Sequence, residues 1–164
     1  MPAGRSLFWC TVSTPSFSSL KAFLETAPAA LKATRSLSRE AEVGVLLDGD
    51  VQARFTMASG GPALLAEPAA NPDFTLRLPD RAVAQLTSIG GDEVGEYGVT
   101  FFTLVTAVDP AEKVRISIHA PTTRLIAQGY LGVLAMGGVQ VMGWLLRKGI
   151  RNPKAAIDRL RGGR

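Results

Sequence analysis

The sequence predicts an α+β fold: a mostly antiparallel sheet of about five strands, covered on one face by helices, with a long apolar C-terminal helix. Short segments with alternating apolar residues follow one another between residues 43 and 78. Segments with helical spacing stand before and after them. The chain has 164 residues, which suffices for one well-buried core, so we expect a single domain over 1–164.

The first predicted element is an N-terminal helical segment at 14–38. Thr14 suits an N-cap, and Pro15 suits the first position of a helix. The apolar residues that follow recur with helical spacing. Pro28 interrupts this pattern, so we expect a second short helix over 29–37.

Strand patterns follow the helical segment. Asp48-Gly49 joins alternating apolar segments at 43–47 and 51–57, as in a tight hairpin. A third strand over 62–66 is expected at a sheet edge, and a fourth over 74–78 alternates apolar and polar residues. These segments predict a meander of strands.

The pattern then changes. Residues 80–89 carry apolar residues on one helical side and end at Gly90-Gly91, a typical stop. Residues 97–108 combine helical spacing with β-branched side chains, and we favour a helix over a strand. Residues 113–119 indicate one more strand, with alternate residues directed inward.

Residues 125–146 form an uncharged, apolar segment that is expected to be one long helix. Its length of roughly 33 Å approaches the ~30 Å hydrocarbon core of a bilayer. Three arrangements are therefore open: packing over the sheet, contact with a membrane interface, and spanning. We favour packing, since the sheet would otherwise lose its largest apolar partner. The glycines of this segment would leave an unfilled apolar space, as a ligand pocket requires.

Charge is concentrated in a basic C-terminal tail. Residues 147–164 carry seven basic side chains and one acidic side chain, whereas residues 1–146 carry eleven basic and thirteen acidic ones. Such a tail suggests an anionic membrane surface or nucleic acid as partner, and a solvated terminus is the alternative. Nucleic acid is the weakest of these because no aromatic platform accompanies the tail. The membrane-surface candidates are Arg147, Lys148, Arg151 and Lys154.

Cysteine content bears on the compartment. Cys10 is the only cysteine, so the sequence offers neither an internal disulfide nor a cysteine-based metal site. The apolar run at 7–10 is too short for a signal peptide. We therefore expect a cytoplasmic protein, with peripheral membrane contact as a further expectation.

A family resemblance rests on residues 71–86, which read NPDFTLRLPDRAVAQL. This run resembles the central unit of sterol carrier protein 2 (SCP2)-like domains, where an Asp-x-Thr-Leu strand leads into a helix. The hairpin before it, and the strand and apolar helix after it, stand in family order, so the likeness covers residues 40–150. Residues 114–119 depart from the family because they lack its glycine-rich pattern. The resemblance implies a hydrophobic tunnel between sheet and helices for an acyl chain, sterol or quinone-like tail.

The expected function is binding, and intracellular transfer, of such a hydrophobic ligand. The alternative is a structural or interaction protein whose apolar C-terminal helix docks on a membrane or a protein partner. An oligomer is compatible with either function. The expected ligand-binding residues are Phe101, Phe102, Val105, Ile118, Tyr130, Leu134 and Val141.

No residue pattern predicts catalysis, a cofactor or a metal site. His119 is the only histidine, and no motif places an acid or a nucleophile beside it. The Gly-Gly pairs at 60–61, 90–91 and 137–138 match neither the dinucleotide fingerprint nor the phosphate-loop pattern. We therefore expect a binding protein and not an enzyme.

Overall fold

The structure of the chain is a computed structural model that describes residues 14–151 and 153–162, without the side chains at 139, 153, 154, 156 and 162. Cys10 and the apolar run at 7–10 lie outside the described residues. In chain order the elements are α1 (Pro15–Thr26), α2 (Pro28–Thr34), β1 (Glu42–Leu47), β2 (Val51–Ala58), β3 (Gly61–Leu65), β4 (Phe74–Leu78), α3 (Asp80–Thr87), α4 (Val94–Val105), β5 (Arg115–Ile118), α5 (Thr122–Ala127), α6 (Tyr130–Met136), α7 (Gly138–Arg147) and α8 (Pro153–Gly162).

Local patterns predicted the elements up to β5 correctly, including the helix α4. The Thr14 hydroxyl oxygen accepts the Phe17 N–H at 3.3 Å, so Thr14 caps α1 as expected. The hairpin turn places Gly49 and Asp50 at φ values of 76° and 57°, a left-handed conformation that Gly and Asp tolerate.

The five strands form one sheet in the order β3-β2-β1-β4-β5. Strand β1 pairs antiparallel with β2 and parallel with β4, whereas β2–β3 and β4–β5 are antiparallel. The sheet is therefore mixed, and the prediction of a mostly antiparallel sheet is corrected. The reason is that β2 already occupies one side of β1, and β4 begins on the free side opposite Val43, near the start of β1, so it runs in the direction of β1.

The prediction of one long C-terminal helix was wrong. Residues 125–146 are divided among α5, α6 and α7, with breaks at Gly129 and Gly138, where φ is 89° and 60°. These left-handed values interrupt a right-handed helix. Among the described residues, no single helix has the length and apolar character to cross a bilayer; 130–136 and 140–147 reach them only as a pair bent by 99°.

The basic tail contains the helix α8, which packs against the body beside β5. Ile157 is buried with Ala120 and Leu125. The Arg161 guanidinium donates to the Ala120 carbonyl oxygen at 2.8 Å. This part of the tail is therefore docked and not extended in solvent.

Helix α1 covers the outer edge of the sheet at β3. Lys21 Nζ donates to the Leu64 carbonyl oxygen at 3.0 Å, and Glu25 Oε1 accepts the Leu64 N–H at 3.0 Å. The same two side chains form an ion pair at 2.5 Å. An edge strand otherwise offers unpaired backbone groups to other chains, so this pair protects the edge at Leu64.

We expect Glu25→Gln to lower the free energy of unfolding by about 1 kcal/mol at pH 7. The hydrogen bond from Lys21, followed by the Leu64 N–H, lowers the pKa of Glu25 below its ordinary value of 4.5. A lowered folded-state pKa means that this stabilisation is complete above pH 4.5 and is lost as the pH falls through the folded-state value.

Urea unfolding between pH 7 and pH 3 measures the difference in free energy of unfolding between the wild type and the variant. It should shrink below about pH 4.5, whereas Glu40→Gln, at an exposed loop position, should leave stability nearly unchanged. A difference that persists at pH 3 would contradict the assignment.

Candidate ligand-binding site

An apolar cavity of about 370 Å³ lies between one face of the sheet and the helices. Its floor is formed by alternate residues of four strands, which share a side because side chains alternate along a strand. The floor residues are Val43, Val45, Phe55, Phe74, Leu76, Leu78, Ile116 and Ile118. The volume falls within the range of about 300–1,000 Å³ that is typical of small-molecule sites.

Small residues shape the helical walls of the cavity. Ala30 and Ala33 of α2 line it with single methyl groups, which fill little of the space above the sheet. Helices α4 and α7 lie in close contact because Gly98 has no side chain: a Cβ there would lie 2.5 Å from Val141 Cγ2. The walls therefore combine close helix contact with unfilled space over the sheet.

Six of the seven residues predicted to bind a ligand line this cavity. They are Phe101, Phe102, Ile118, Tyr130, Leu134 and Val141. Val105 does not line it; this residue ends α4 and packs against the main core, which includes Leu104 and Val114. Ligand binding by the six remains a prediction.

The sequence-based set omitted the side of the cavity that α1 and α2 form. Leu20 and Leu24 line the cavity, and their helical spacing was a usable signal. Ala30 and Ala33 carried no such signal, because alanine suits an exposed helix face as well as a cavity wall.

Three lining residues have polar side chains, and each polar group has a partner within the protein. The Thr34 hydroxyl donates to the carbonyl oxygen one turn earlier at 2.8 Å. The Tyr97 hydroxyl lies 2.9 Å from the Gly91 carbonyl oxygen, and the Tyr130 hydroxyl donates to Asp73 Oδ2 at 2.8 Å. Burial is the main cause that raises the pKa of both tyrosines, so both hydroxyls remain donors at neutral pH.

Asp73 is fully buried where β4 begins and connects the sheet to the helices above the cavity. Its Oδ2 accepts the Glu42 N–H at 3.2 Å in addition to the Tyr130 hydroxyl. Its Oδ1 lies 2.9 Å from Arg124 Nε, an ion pair whose N–H is not aimed at the oxygen. Its carbonyl oxygen accepts two N–H groups that follow β5, at 3.0 and 2.9 Å. One residue thereby positions β1, β5, α5 and α6.

The junction between α5 and α6 is held against the segment that follows α2. The Ser38 N–H donates to the Gln128 carbonyl oxygen at 2.9 Å. A Cβ on Gly129 would lie 1.9 Å from the Ser36 carbonyl oxygen, so only glycine fits this approach. The helix break therefore fixes where α6 enters the cavity wall.

The basic candidates lie at the C-terminal end of α7 and beyond. Arg147, Lys148 and Arg151 are exposed, and the side chain of Lys154 lies outside the described part of the chain. Leu146, next to them, is 57% exposed. Lys148 Nζ lies 5.6 Å from the centre of the Trp144 ring.

His119 lies on the face of the sheet opposite the cavity. Its Nε2 is 2.9 Å from Thr75 Oγ1, and the residue before it, Ile118, lines the cavity, as strand alternation predicts. Within the described ranges, no group of three or more His, Cys, Asp or Glu side chains could hold a metal ion.

A comparison with solved structures found a similar chain. A chain described as "UbiJ-SCP2 Ubiquinone synthesis protein" is similar at 14% sequence identity and a TM-score of 0.41, over 73% of this chain and 90% of that chain. No protein-family model and no curated protein matches the sequence.

We expect Asp73→Asn to lower the free energy of unfolding by about 2–3 kcal/mol, because the buried site loses the negative charge that faces Arg124. Chemical denaturation followed by circular dichroism measures this loss. Asp158→Asn, at an exposed position of α8, is the matched control and should change stability by less than about 0.5 kcal/mol. Equal effects of the two variants would contradict the role of Asp73.

Proposed function

We propose that the protein binds the hydrocarbon part of a sterol, fatty acyl or quinone-like lipid in the apolar cavity. The observation that carries this proposal is a cavity of about 370 Å³ whose lining is apolar apart from three internally bonded side chains. Burial of hydrocarbon contributes about 0.8 kcal/mol per CH₂ group. A chain of several CH₂ groups therefore supplies enough free energy for binding without any polar contact.

The bonding of Thr34, Tyr97 and Tyr130 also restricts how a ligand can be bound. Each hydroxyl has one O–H donor and already uses it within the protein, so it can donate to a ligand head group only by breaking a buried hydrogen bond, which is costly. Since the rest of the lining is apolar, we expect the cavity to accept the tail of the ligand and to leave the head group outside.

The same lining supports a binding protein over an enzyme. General acid–base and nucleophilic catalysis need a titratable or nucleophilic group within hydrogen-bond reach of the substrate. The lining side chains that carry a hydroxyl are Thr34, whose O–H donates to the Ala30 carbonyl oxygen, and the two tyrosines, whose pKa burial raises away from neutral pH. The expected role is carriage of a lipid that is chemically unchanged.

Intracellular transfer at a membrane periphery is the further part of this proposal. Arg147, Lys148 and Arg151 are exposed beside Leu146, at the end of the helix whose Val141 lines the cavity. Basic residues near an anionic surface contribute roughly 1 kcal/mol each. Such contact would bring the cavity to the membrane that supplies or receives the lipid.

A second candidate is a protein-interaction role. Met136 and Leu146 are 43% and 57% exposed, and such apolar groups can dock on a partner protein. This role does not need an accessible cavity, so the cavity-filling variant described next should leave it intact.

Native mass spectrometry and organic extraction of the purified protein should detect a co-purifying lipid-like molecule. Ala33→Phe places a ring in the cavity wall and should lower lipid occupancy at least tenfold, since even part of the cavity volume is worth more than 1.4 kcal/mol of buried hydrocarbon. Ala22→Phe, at an exposed position of α1, is the control and should keep wild-type occupancy. Absence of bound or bindable lipid in the wild type would refute the proposal.

Vesicle sedimentation tests the membrane part. Replacement of Arg147, Lys148 and Arg151 by Gln should weaken binding to vesicles rich in phosphatidylserine by about 100-fold, and added salt should weaken wild-type binding. The control replaces Lys32, Arg35 and Arg39, three exposed residues elsewhere that carry the same charge. Equal loss in both triple variants would mean that only net charge matters.

A further inference from the structure

A second cleft, of about 460 Å³, lies on the side of the sheet that does not face the cavity. Arg77 stands between Leu76 and Leu78, which line the cavity, so alternation directs Arg77 to the opposite face. Arg115 precedes Ile116 in β5 and shares that face. The cleft is therefore separated from the lipid site by the sheet itself.

The cleft concentrates positive charge on a body that is otherwise acidic. Four basic residues line it, Arg77, Arg81, Lys113 and Arg115, against the carboxylates of Asp48 and Asp80, which gives a net charge of +2. Residues 1–146 as a whole carry eleven basic and thirteen acidic side chains, a net charge of −2. The cleft thus has a local positive charge, whereas residues 1–146 as a whole have a negative net charge.

Two of these arginines face each other without a compensating acid. Arg77 and Arg115 are register partners in the antiparallel β4–β5 pair. Like charges in directly opposite positions destabilise a sheet. Within the described part of the chain, neither arginine nor Lys113 forms an ion pair with a carboxylate.

The nearby acids are engaged with other groups. Asp48 Oδ2 accepts the Asp80 N–H at 2.9 Å, and Asp80 Oδ1 accepts the Ser16 hydroxyl at 2.6 Å. Arg81 lies 3.6 Å from Asp109. The charges that lack a partner in the cleft are therefore those of Arg77, Lys113 and Arg115.

We propose that this cleft binds a phosphate or diphosphate group. A guanidinium presents a planar fork of N–H donors that matches phosphate oxygens, and two such forks with one ammonium suit an anion of more than one charge. The bound anion would also relieve the repulsion between Arg77 and Arg115. A soluble phosphate compound and a phospholipid head group share this chemistry.

Inorganic pyrophosphate is the probe, titrated by calorimetry at constant ionic strength. The wild type should bind it saturably, and Arg77→Gln and Arg115→Gln should each weaken binding about tenfold or more. Arg35→Gln, an exposed arginine on the segment after α2, is the control and should bind as the wild type does. Ala33→Phe should also bind normally, so a failure of the lipid proposal leaves this result unchanged.

Thermal unfolding supplies a second readout. Without pyrophosphate, the Arg115→Gln variant should unfold at the same or a higher temperature than the wild type, because the cross-strand repulsion is gone. At the same pyrophosphate concentration, the wild type should be stabilised more than the variant. This opposite response distinguishes a binding role from a merely structural one.

Vesicles of phosphatidylcholine with phosphatidic acid distinguish a soluble phosphate compound from a phospholipid head group as the ligand of the cleft. Saturable binding of free pyrophosphate that depends on Arg77 and Arg115 supports a soluble compound. Vesicle binding that depends on these two residues, without binding of free pyrophosphate, supports a head group. Responses that follow ionic strength alone, or that are equal in the variants and the wild type, would overturn the proposal.

Discussion

The buried carboxylate of Asp73 is the constraint on which the arrangement of the cavity depends. A carboxylate removed from water is costly unless opposite charge and hydrogen bonds compensate it. Arg124 supplies the charge, and Tyr130 and the Glu42 backbone supply hydrogen bonds. These partners lie on α5, α6 and β1, so the compensation of one charge fixes where the C-terminal helices meet the sheet.

Broken helices and small side chains explain why the space above the sheet stays open. A straight helix over 125–146 would have laid a continuous row of side chains on the strands. The left-handed glycines divide it into three pieces, and Gly98 lets α4 lie against α7 at the side of the cavity. Alanines of α2 complete the walls. The cavity therefore results from backbone geometry and from small residues, and not from the absence of a covering layer.

The two faces of the sheet offer opposite chemistry. Strand alternation sends Leu76 and Ile116 into the apolar cavity, and it sends Arg77 and Arg115 to the other face. A shift of one residue in the register of β4 and β5 would bury the arginines and expose the apolar residues. The hydrophobic site and the cationic cleft thus depend on the same strand register, although they lie on opposite faces of the sheet.

The sequence alone determined the features that local patterns encode: the capped α1, the hairpin at Asp48-Gly49, the edge position of β3, the helix α4 and most of the predicted cavity residues. Only the tertiary structure decided the parallel β1–β4 pair, the breaks at Gly129 and Gly138, and the partners of Asp73. Periodicity and capping involve residues that are close in sequence, so they can be recognised from the sequence alone. Strand pairing, close backbone approach and charge compensation join residues that are far apart in sequence, and their outcome depends on the packing of the whole fold.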